Sequence, residues 1–155
     1  MELRLLRRLN SDMRKFLSDD DCALIVNAIH AAEHRTSGEI RIHIDTKCPG
    51  DPKLKALKSF HKLGMKNTAA RNGVLIYVSP SDRKLAVIGD RGINNVVPAG
   101  FWKDVCSVLV DAFASENYVS GLCSAVSIVG EKLNEFFPYT DEDVNELPDD
   151  ISFEE

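Results

Sequence analysis

The stretch that most limits the fold is the apolar run GVLIYVS, Gly73–Ser79. A strand that is apolar at every position must be covered on both faces, so helices are expected on each side of the sheet. The turn residues of PSD follow it, and RKLAVIGD, residues 83–90, predicts another strand. Because the link between the two strands is short, they should run antiparallel.

A different pattern marks the first strand, EIRIHIDT, residues 39–46. Its isoleucines alternate with polar and charged residues, which predicts one buried face and one polar face. Asp45, near its end, and Asp82, in the turn after the second strand, are expected at the opposite end of the sheet from the edge discussed below. We interpret them as a surface residue and a turn residue.

Four helices are predicted around these strands. One begins after a cap at Ser18 or Asp19 and stops at TSG, and a second begins at Asp51-Pro52 and ends near Met65. The second should bury Leu54, Leu57, Phe60 and His61. Two more cover residues 101–113 and about 118–137, and Pro138 ends the last one. The order predicts an α/β fold, a three-layer α/β/α sandwich with a small mixed, Rossmann-like sheet and helices on both faces, whose first two strands are parallel.

At 155 residues, the chain suits one domain. We divide it into an amphipathic N-terminal helix at residues 1–17, a domain at 18–139 and an acidic tail at 140–155. The tail holds eight acids and no base, which leaves 19 bases and 16 acids in residues 1–139. Such a tail is expected to be mobile, although the segments VNELP and ISF could dock locally.

Composition also excludes several classes. No apolar run approaches the ~20 residues that a membrane span requires, so no stable membrane anchor is expected. The basic residues are scattered without interleaved aromatic residues, which argues against nucleic-acid binding. The four cysteines form no zinc-finger spacing, and reduced thiols in a cytoplasmic protein are expected.

The predicted topology brings three chain segments to one edge of the sheet. These are the start of the first strand at residues 36–39, the approach to the second at 68–73, and the end of the third at 89–92. Glu33, in the last turn of the first helix, falls close to the apolar centre of that helix and near the same edge. A carboxylate there needs a partner or a cation, because an isolated buried charge is costly.

Two interpretations of this edge stay open. In the first, Glu33, Glu39 and Asp90 converge on a hard divalent cation, Ca²⁺ or Mg²⁺, which prefers oxygen ligands. In the second, the residues are structural: Glu33 pairs with Arg35 or Arg71, and Asp90 closes a turn between two glycines.

Three other sequence features give weaker indications of function. HAAEH, residues 30–34, has the spacing of an inverted zinc-protease motif, but His30 and His34 lie on the flank of their helix, and no third ligand follows in a convincing motif. GDRG, residues 89–92, lacks the Lys-Ser/Thr pair of a phosphate loop and is expected to precede an irregular stretch. Trp102 is expected to pack in the core, with a lid over the Asp90 edge as the alternative.

Several segments in this order resemble the TPM domain family, and in particular its short, stand-alone bacterial branch. They are AIHAAEHRTSGEIRIHI, LGMKNTAARNGVLIYVSPSDRKLAVIGDRGI, FWKDV, VSGLCSAVSIVGEKLNEFFP and DVNELPD. The resemblance implies an α/β/α sandwich with an acid-lined cleft. It also implies calcium binding in some members and acid phosphatase activity in a plant member.

The family motifs fall on particular residues of this chain. TSGE falls on residues 36–39, RNG on 71–73, GD-x-G on 89–92 and the helix glutamate on Glu33. The cleft is therefore expected to include Thr36, Asn72, Arg91 and Trp102 beside the three carboxylates. Photosystem members of the family carry a targeting segment and a membrane anchor, and neither is visible here.

Three functional hypotheses follow. The preferred one is a regulatory or accessory module that binds a divalent cation. The second is a slow phosphatase acting on a phosphorylated small molecule, with Asp90 as nucleophile or metal ligand and Arg71 or Arg91 clamping the phosphate. The third is a protein-interaction domain whose acidic tail binds a basic protein partner.

Overall fold

The computed structural model describes residues 16–139 and 151–154. Residues 1–15 of the predicted N-terminal helix and most of the acidic tail therefore lie outside the described residues. In chain order the elements are α1 (Asp19–Glu33), β1 (Glu39–Asp45), α2 (Pro52–Lys62), β2 (Gly73–Ser79), β3 (Lys84–Gly89), the short α3 (Arg91–Asn94), α4 (Phe101–Ala114), α5 (Tyr118–Phe136) and β4 (Ile151–Glu154).

The four strands form one sheet in the order β3-β2-β1-β4. β1 is parallel to β2, and β2 is antiparallel to β3, as the link lengths predict. β1 is also parallel to β4. Helices α1, α4 and α5 bury the main core against one face of the sheet, around Ile42, Ile76 and Leu122. α2 covers the other face with Ala56 and Phe60. The α/β fold with helices on both faces is confirmed.

Capping residues mark the beginnings of α1 and α2 at the predicted positions. Ser18 caps α1, because its Oγ accepts from the Asp21 N–H while the Asp21 carboxylate accepts from the Ser18 N–H. Asp51 caps α2, with Pro52 at the first helical position. None of the helices in the described ranges is long and apolar enough to cross a membrane.

Three predictions about elements are wrong. β1 is buried on both faces, because Glu39, His43 and Asp45 on its polar face are only 3–4% exposed. α2 buries Ala56, Ser59 and Phe60, while Leu54 is 60% exposed and Leu57 is 38% exposed. GDRG does not precede an irregular stretch, because α3 begins immediately after Asp90.

The tail also contributes to the sheet. Residues Ile151–Glu154 form the edge strand β4 beside β1, and Ile151 is only 2% exposed. The expectation of a mobile tail is therefore wrong for these four residues, and the alternative that ISF docks locally is confirmed. Residues 140–150 lie outside the described residues.

Candidate functional site

The three predicted segments do meet at one edge of the sheet. Glu39 is in register with Gly73, and Val74 is in register with Gly89 on the far side of β2. The Asp90 N–H donates to the Gly73 carbonyl at 2.9 Å, which extends the β2–β3 pairing by one residue. Glu39 and Asp90 therefore flank Gly73, and the strand register turns both side chains towards the face that α2 covers.

Asp90 is engaged by an arginine. Arg71 donates from Nε to Oδ2 at 2.6 Å and from Nη2 to Oδ1 at 3.0 Å, and Asp90 is 7% exposed. Oδ1 also accepts from the Arg91 N–H at 2.8 Å, so Asp90 is the N-cap of α3. The hydrogen bond to Asp90 raises the pKa of the Arg71 guanidinium above its ordinary value. The geometry is that of a two-point pair between a carboxylate and a guanidinium.

The two glycines of GD-x-G lie at close packing contacts around Asp90. A Cβ on Gly92 would lie 2.1 Å from the Ala70 carbonyl oxygen, and a Cβ on Gly89 would lie 2.4 Å from the Trp102 ring. The Gly92 N–H donates to the Arg71 carbonyl at 2.8 Å, and Arg71 itself has a positive φ of 52°. The motif thus permits close backbone packing between the RNG segment and α3.

Thr36 and Asn72 are buried and form hydrogen bonds between chain segments. Thr36 Oγ1 accepts from the Gly38 N–H at 3.0 Å and contacts the carbonyls of Leu133 and Phe137, which ties the start of β1 to the end of α5. Asn72 is 1% exposed, and its Nδ2 donates to Ser37 Oγ at 3.2 Å. Both residues join the chain segments at this edge.

Glu33 lies on the other side of β1. Its Oε2 accepts from the Ile40 N–H at 2.8 Å, and that N–H points towards the β4 side, as does the N–H of Thr46, which donates to Glu154. The Glu33 carboxylate thus occupies the position that a longer β4 would fill. Asp90 extends β3, on the opposite side of β1. Three strand spacings, about 14 Å, therefore separate the position of the Glu33 carboxylate from the backbone of Asp90.

Glu33 and Asp90 are therefore not brought together. Ligands of one Ca²⁺ ion lie at most about 5 Å apart, twice the metal–oxygen distance. Among the described residues, Glu33, Glu39 and Asp90 are not one of the sets of His, Cys, Asp and Glu side chains that gather within 4.8 Å. The three-carboxylate site stays a prediction, and Glu39 with Asp90 is the pair that shares a face.

The remaining predicted cleft residues lie beside Asp90. Arg91 is exposed at the start of α3. Trp102 is half-buried, packs against Gly89, and donates from Nε1 to Asn94 Oδ1 at 2.8 Å. Trp102 is therefore one of the partly buried side chains that pack against the main core.

A second polar cluster, at the opposite end of β1, was missed from the sequence. Asp45, expected at the surface, is 3% exposed, and its Oδ1 lies 2.9 Å from His43 Nε2. The Tyr77 hydroxyl donates to Asp45 Oδ2 at 2.6 Å. From β4, Ser152 Oγ lies 2.7 Å from His43 Nδ1 and Glu154 Oε2 lies 3.9 Å from His43 Nε2.

The electrostatics of this second cluster follow from burial and hydrogen bonding. Burial alone would raise the pKa of Asp45, but the hydrogen bonds from His43 and Tyr77 outweigh it and lower the pKa below its usual range. Burial and the bond to Asp45 raise the pKa of the Tyr77 phenol. The hydrogen bond to Glu154 raises the pKa of Lys62.

One signal could have found this cluster: β1 carries four ionisable groups on its polar side and lies beside a fully apolar strand. Because β2 requires cover on both faces, its neighbour β1 is covered as well, and its polar side chains must then find partners. The contribution of β4 carried no comparable signal.

Two cavities lie elsewhere. One of about 340 Å³ lies between the β2–β3 turn and the end of α4, lined by Arg83, Val110 and Tyr118 among others. Another of about 300 Å³ lies between α1 and α5, beside Arg35 and Cys123. Neither is lined by Glu33, Glu39 or Asp90.

Comparison with known proteins identifies the family. The family model of the TPM domain (TPM_phosphatase) matches residues 10–132. The BA42 protein of the psychrophilic bacterium Bizionia argentinensis is similar over 90% of this chain and 96% of its own, with 39% identity and a TM-score of 0.83. The N-terminal domain of cg2496 from Corynebacterium glutamicum is similar over 84% and 81%, with 14% identity and a TM-score of 0.62, which indicates a shared fold.

The comparison with curated proteins returned no match. The family model nevertheless spans most of the chain, including the TSGE, RNG and GD-x-G segments that meet at the Asp90 edge. The chain therefore belongs to the TPM domain family.

Proposed function

We propose that this TPM domain binds a divalent cation, Ca²⁺ in particular, between Glu39 and Asp90, and that it serves an accessory or regulatory role. One observation carries the proposal: two carboxylates, 4% and 7% exposed, flank Gly73 and face the same side of the sheet, where the Met65 carbonyl packs against Gly73. Their backbones are two strand spacings, about 10 Å, apart, so both side chains reach across Gly73 to share an ion. Buried carboxylates require positive charge or hydrogen-bond donors, and oxygen ligands suit a hard cation.

Asp90 is already a cation-binding position, because a guanidinium holds both of its oxygens. A metal ion would replace Arg71 there, and the Arg71 side chain, 27% exposed, has access to solvent when displaced. The cost of breaking that pair makes affinity weak, and we expect a dissociation constant of about 1 mM, as for low-affinity Ca²⁺ modules. Arg71 would then report whether the ion is bound.

The same geometry bears on the phosphatase alternative. A nucleophilic carboxylate needs an oxygen free to attack, whereas both Asp90 oxygens accept hydrogen bonds from Arg71 and one also accepts from the Arg91 N–H. Of the two candidate clamps, Arg71 is held by Asp90, while Arg91 is exposed at the start of α3. The structure thus offers more support for cation binding than for phosphoryl transfer.

The test is a Ca²⁺ titration of the full chain followed by backbone amide chemical shifts. Shifts centred on residues 89–92 and 38–40 are expected, and Asp90→Asn should weaken binding at least about tenfold through loss of a charged ligand. Asp111→Asn, an exposed change on α4, is the control. If the amides of residues 89–92 stay fixed at about 10 mM Ca²⁺, well above the expected range, the proposal is wrong.

An aryl phosphate assay of the same samples separates the two hypotheses. Ca²⁺ binding without turnover supports the accessory role. Turnover that Asp90→Asn abolishes would favour the phosphatase, and turnover that survives the substitution would indicate a contaminant.

A further inference from the structure

The polar cluster at the far end of β1 has an arrangement unlike an ordinary buried network. Three of its side chains, His43, Asp45 and Glu154, each present one polar atom to the other two. Their ligand atoms lie within 4.8 Å of one another. His43 and Asp45 come from β1, while Glu154 comes from β4 beside it.

Each of the three is also held from behind by a different neighbour. Ser152 Oγ lies 2.7 Å from His43 Nδ1, which leaves Nε2 facing the centre. Tyr77 donates to Asp45 Oδ2 at 2.6 Å, which leaves Oδ1 facing the centre.

Lys62 completes the set, because its Nζ donates to Glu154 Oε1 at 2.5 Å and leaves Oε2 facing the centre. Outer partners of this kind orient the ligands of metal sites, most characteristically through the second nitrogen of a histidine. In this cluster each of the three side chains has such an outer partner, which binds the polar atom that does not face the centre.

We propose that His43 Nε2, Asp45 Oδ1 and Glu154 Oε2 form a binding site for a Zn²⁺-class transition metal ion. One imidazole nitrogen and two carboxylate oxygens suit a borderline metal better than Ca²⁺. Tetrahedral Zn²⁺ with bonds of about 2.1 Å places its ligands about 3.4 Å apart. The structure has 2.9 Å between Nε2 and Oδ1 and 3.9 Å between Nε2 and Oε2, so small side-chain movements suffice.

The proton arrangement of His43 can accommodate the ion. With a proton on Nε2, the imidazole donates to Asp45 and accepts from Ser152. With the proton on Nδ1, it donates to Ser152, whose hydroxyl can turn to the Ile42 carbonyl 3.5 Å away. The second arrangement leaves the Nε2 lone pair facing Asp45 Oδ1, which is the arrangement that a metal ion selects.

Exposure leaves a route for the ion to enter. The side chains of His43 and Asp45 are 3% and 4% exposed, while that of Glu154 is 36% exposed and lies on the edge strand. Three protein ligands leave a fourth position for water on that side. Because Glu154 belongs to β4, a bound ion would also fasten this strand to β1.

The experiment uses the full chain, freed of metal with a chelator and titrated with Zn²⁺ alone. His30→Gln/His34→Gln is the background, because two exposed histidines one turn apart on α1 can bind Zn²⁺ independently. Affinity comes from competition with a chromogenic chelator. Histidine ¹⁵N shifts report the state of each His43 nitrogen.

Three results are expected. Zn²⁺ shifts His43 Nε2 to a metal-bound value with Nδ1 protonated, and it slows amide exchange in residues 151–154. Glu154→Gln, at the most exposed ligand, lowers affinity at least about tenfold because a charged ligand is lost. Lys62→Met, which removes the outer partner but no ligand, lowers it less than Glu154→Gln.

The proposal fails if Zn²⁺ leaves the His43 nitrogens unchanged, or if Glu154→Gln binds Zn²⁺ within twofold of the background protein. Loss of all Zn²⁺ binding in the His30→Gln/His34→Gln background would assign the ion to the surface pair and also overturn it. Asp90→Asn should leave Zn²⁺ binding unchanged, so this site and the proposed Ca²⁺ site can fail separately.

Discussion

Gly92→Ala is the change that tests most directly how the Asp90 edge is built. The new Cβ would lie 2.1 Å from the Ala70 carbonyl oxygen and 2.6 Å from the Arg71 carbonyl oxygen. Ordinary contact begins at 3.4 Å, so the Ala70 carbonyl would have to retreat by about 1.3 Å. Both obstacles are backbone atoms, and the Arg71 carbonyl also accepts the 2.8 Å hydrogen bond from Gly92.

The expected loss of stability follows from these contacts. Overpacking costs about 1–3 kcal/mol and the strained hydrogen bond about 1 kcal/mol, while alanine recovers at most about 1 kcal/mol of helix propensity. The net destabilisation is about 1–4 kcal/mol. With an m-value of about 2 kcal/mol/M in urea, the unfolding midpoint should fall by about 0.5–2 M.

Urea unfolding followed by fluorescence of Trp102, the only tryptophan of the chain, and by far-UV circular dichroism measures this change. Gly50→Ala is the control, because Gly50 has a φ of 88° and a methyl group added to it would meet no neighbour within 4 Å. It should lose only about 1 kcal/mol, from backbone strain. If Gly92→Ala costs less than Gly50→Ala, the close packing of RNG against α3 is refuted.

Two further predictions concern buried groups. Thr36→Val removes the hydroxyl that accepts from the Gly38 N–H, so it should lower the free energy of unfolding by about 1–3 kcal/mol, whereas Thr36→Ser should cost less; equal losses in urea unfolding would contradict the role of the hydroxyl. Burial raises the pKa of the Cys106 and Cys123 thiols, so the reactive thiolate is scarcer at pH 8. Alkylation by iodoacetamide, followed by mass spectrometry, should therefore be slower than in urea-unfolded protein, and equal rates would contradict the burial.

Apart from the short α3 and the edge strand β4, the order of the elements and the direction of the strands could be predicted from the sequence. An all-apolar β2 requires cover on both faces, a short link makes β3 antiparallel, and a helical link makes β1 and β2 parallel. These rules use only local sequence or the length of a link, so they can be applied without knowing how the elements pack. They also suffice to bring TSGE, RNG and GD-x-G to one edge.

The partners of individual side chains at that edge could not be predicted. Whether Glu33 faces Asp90 depends on which side of β1 its helix ends, and the structure places it beside the Ile40 N–H on the β4 side. Arg71, which the structural interpretation offered as a partner of Glu33, is paired with Asp90 in the structure. A long side chain can extend further than the distance between neighbouring chain segments. Sequence patterns therefore do not determine which of several nearby groups it binds.

The sequence by itself determined that this is a layered α/β domain whose glycine-rich turns and acids collect at one sheet edge. Only the tertiary structure decided that His43 meets Ser152 across 109 positions of the chain, and that Glu154 completes the cluster. β4 is four residues long and lies within an acidic tail, so it has no periodicity to detect. Its place beside β1 depends on a free strand edge and an apolar pocket for Ile151, and both exist only after the rest of the domain has folded.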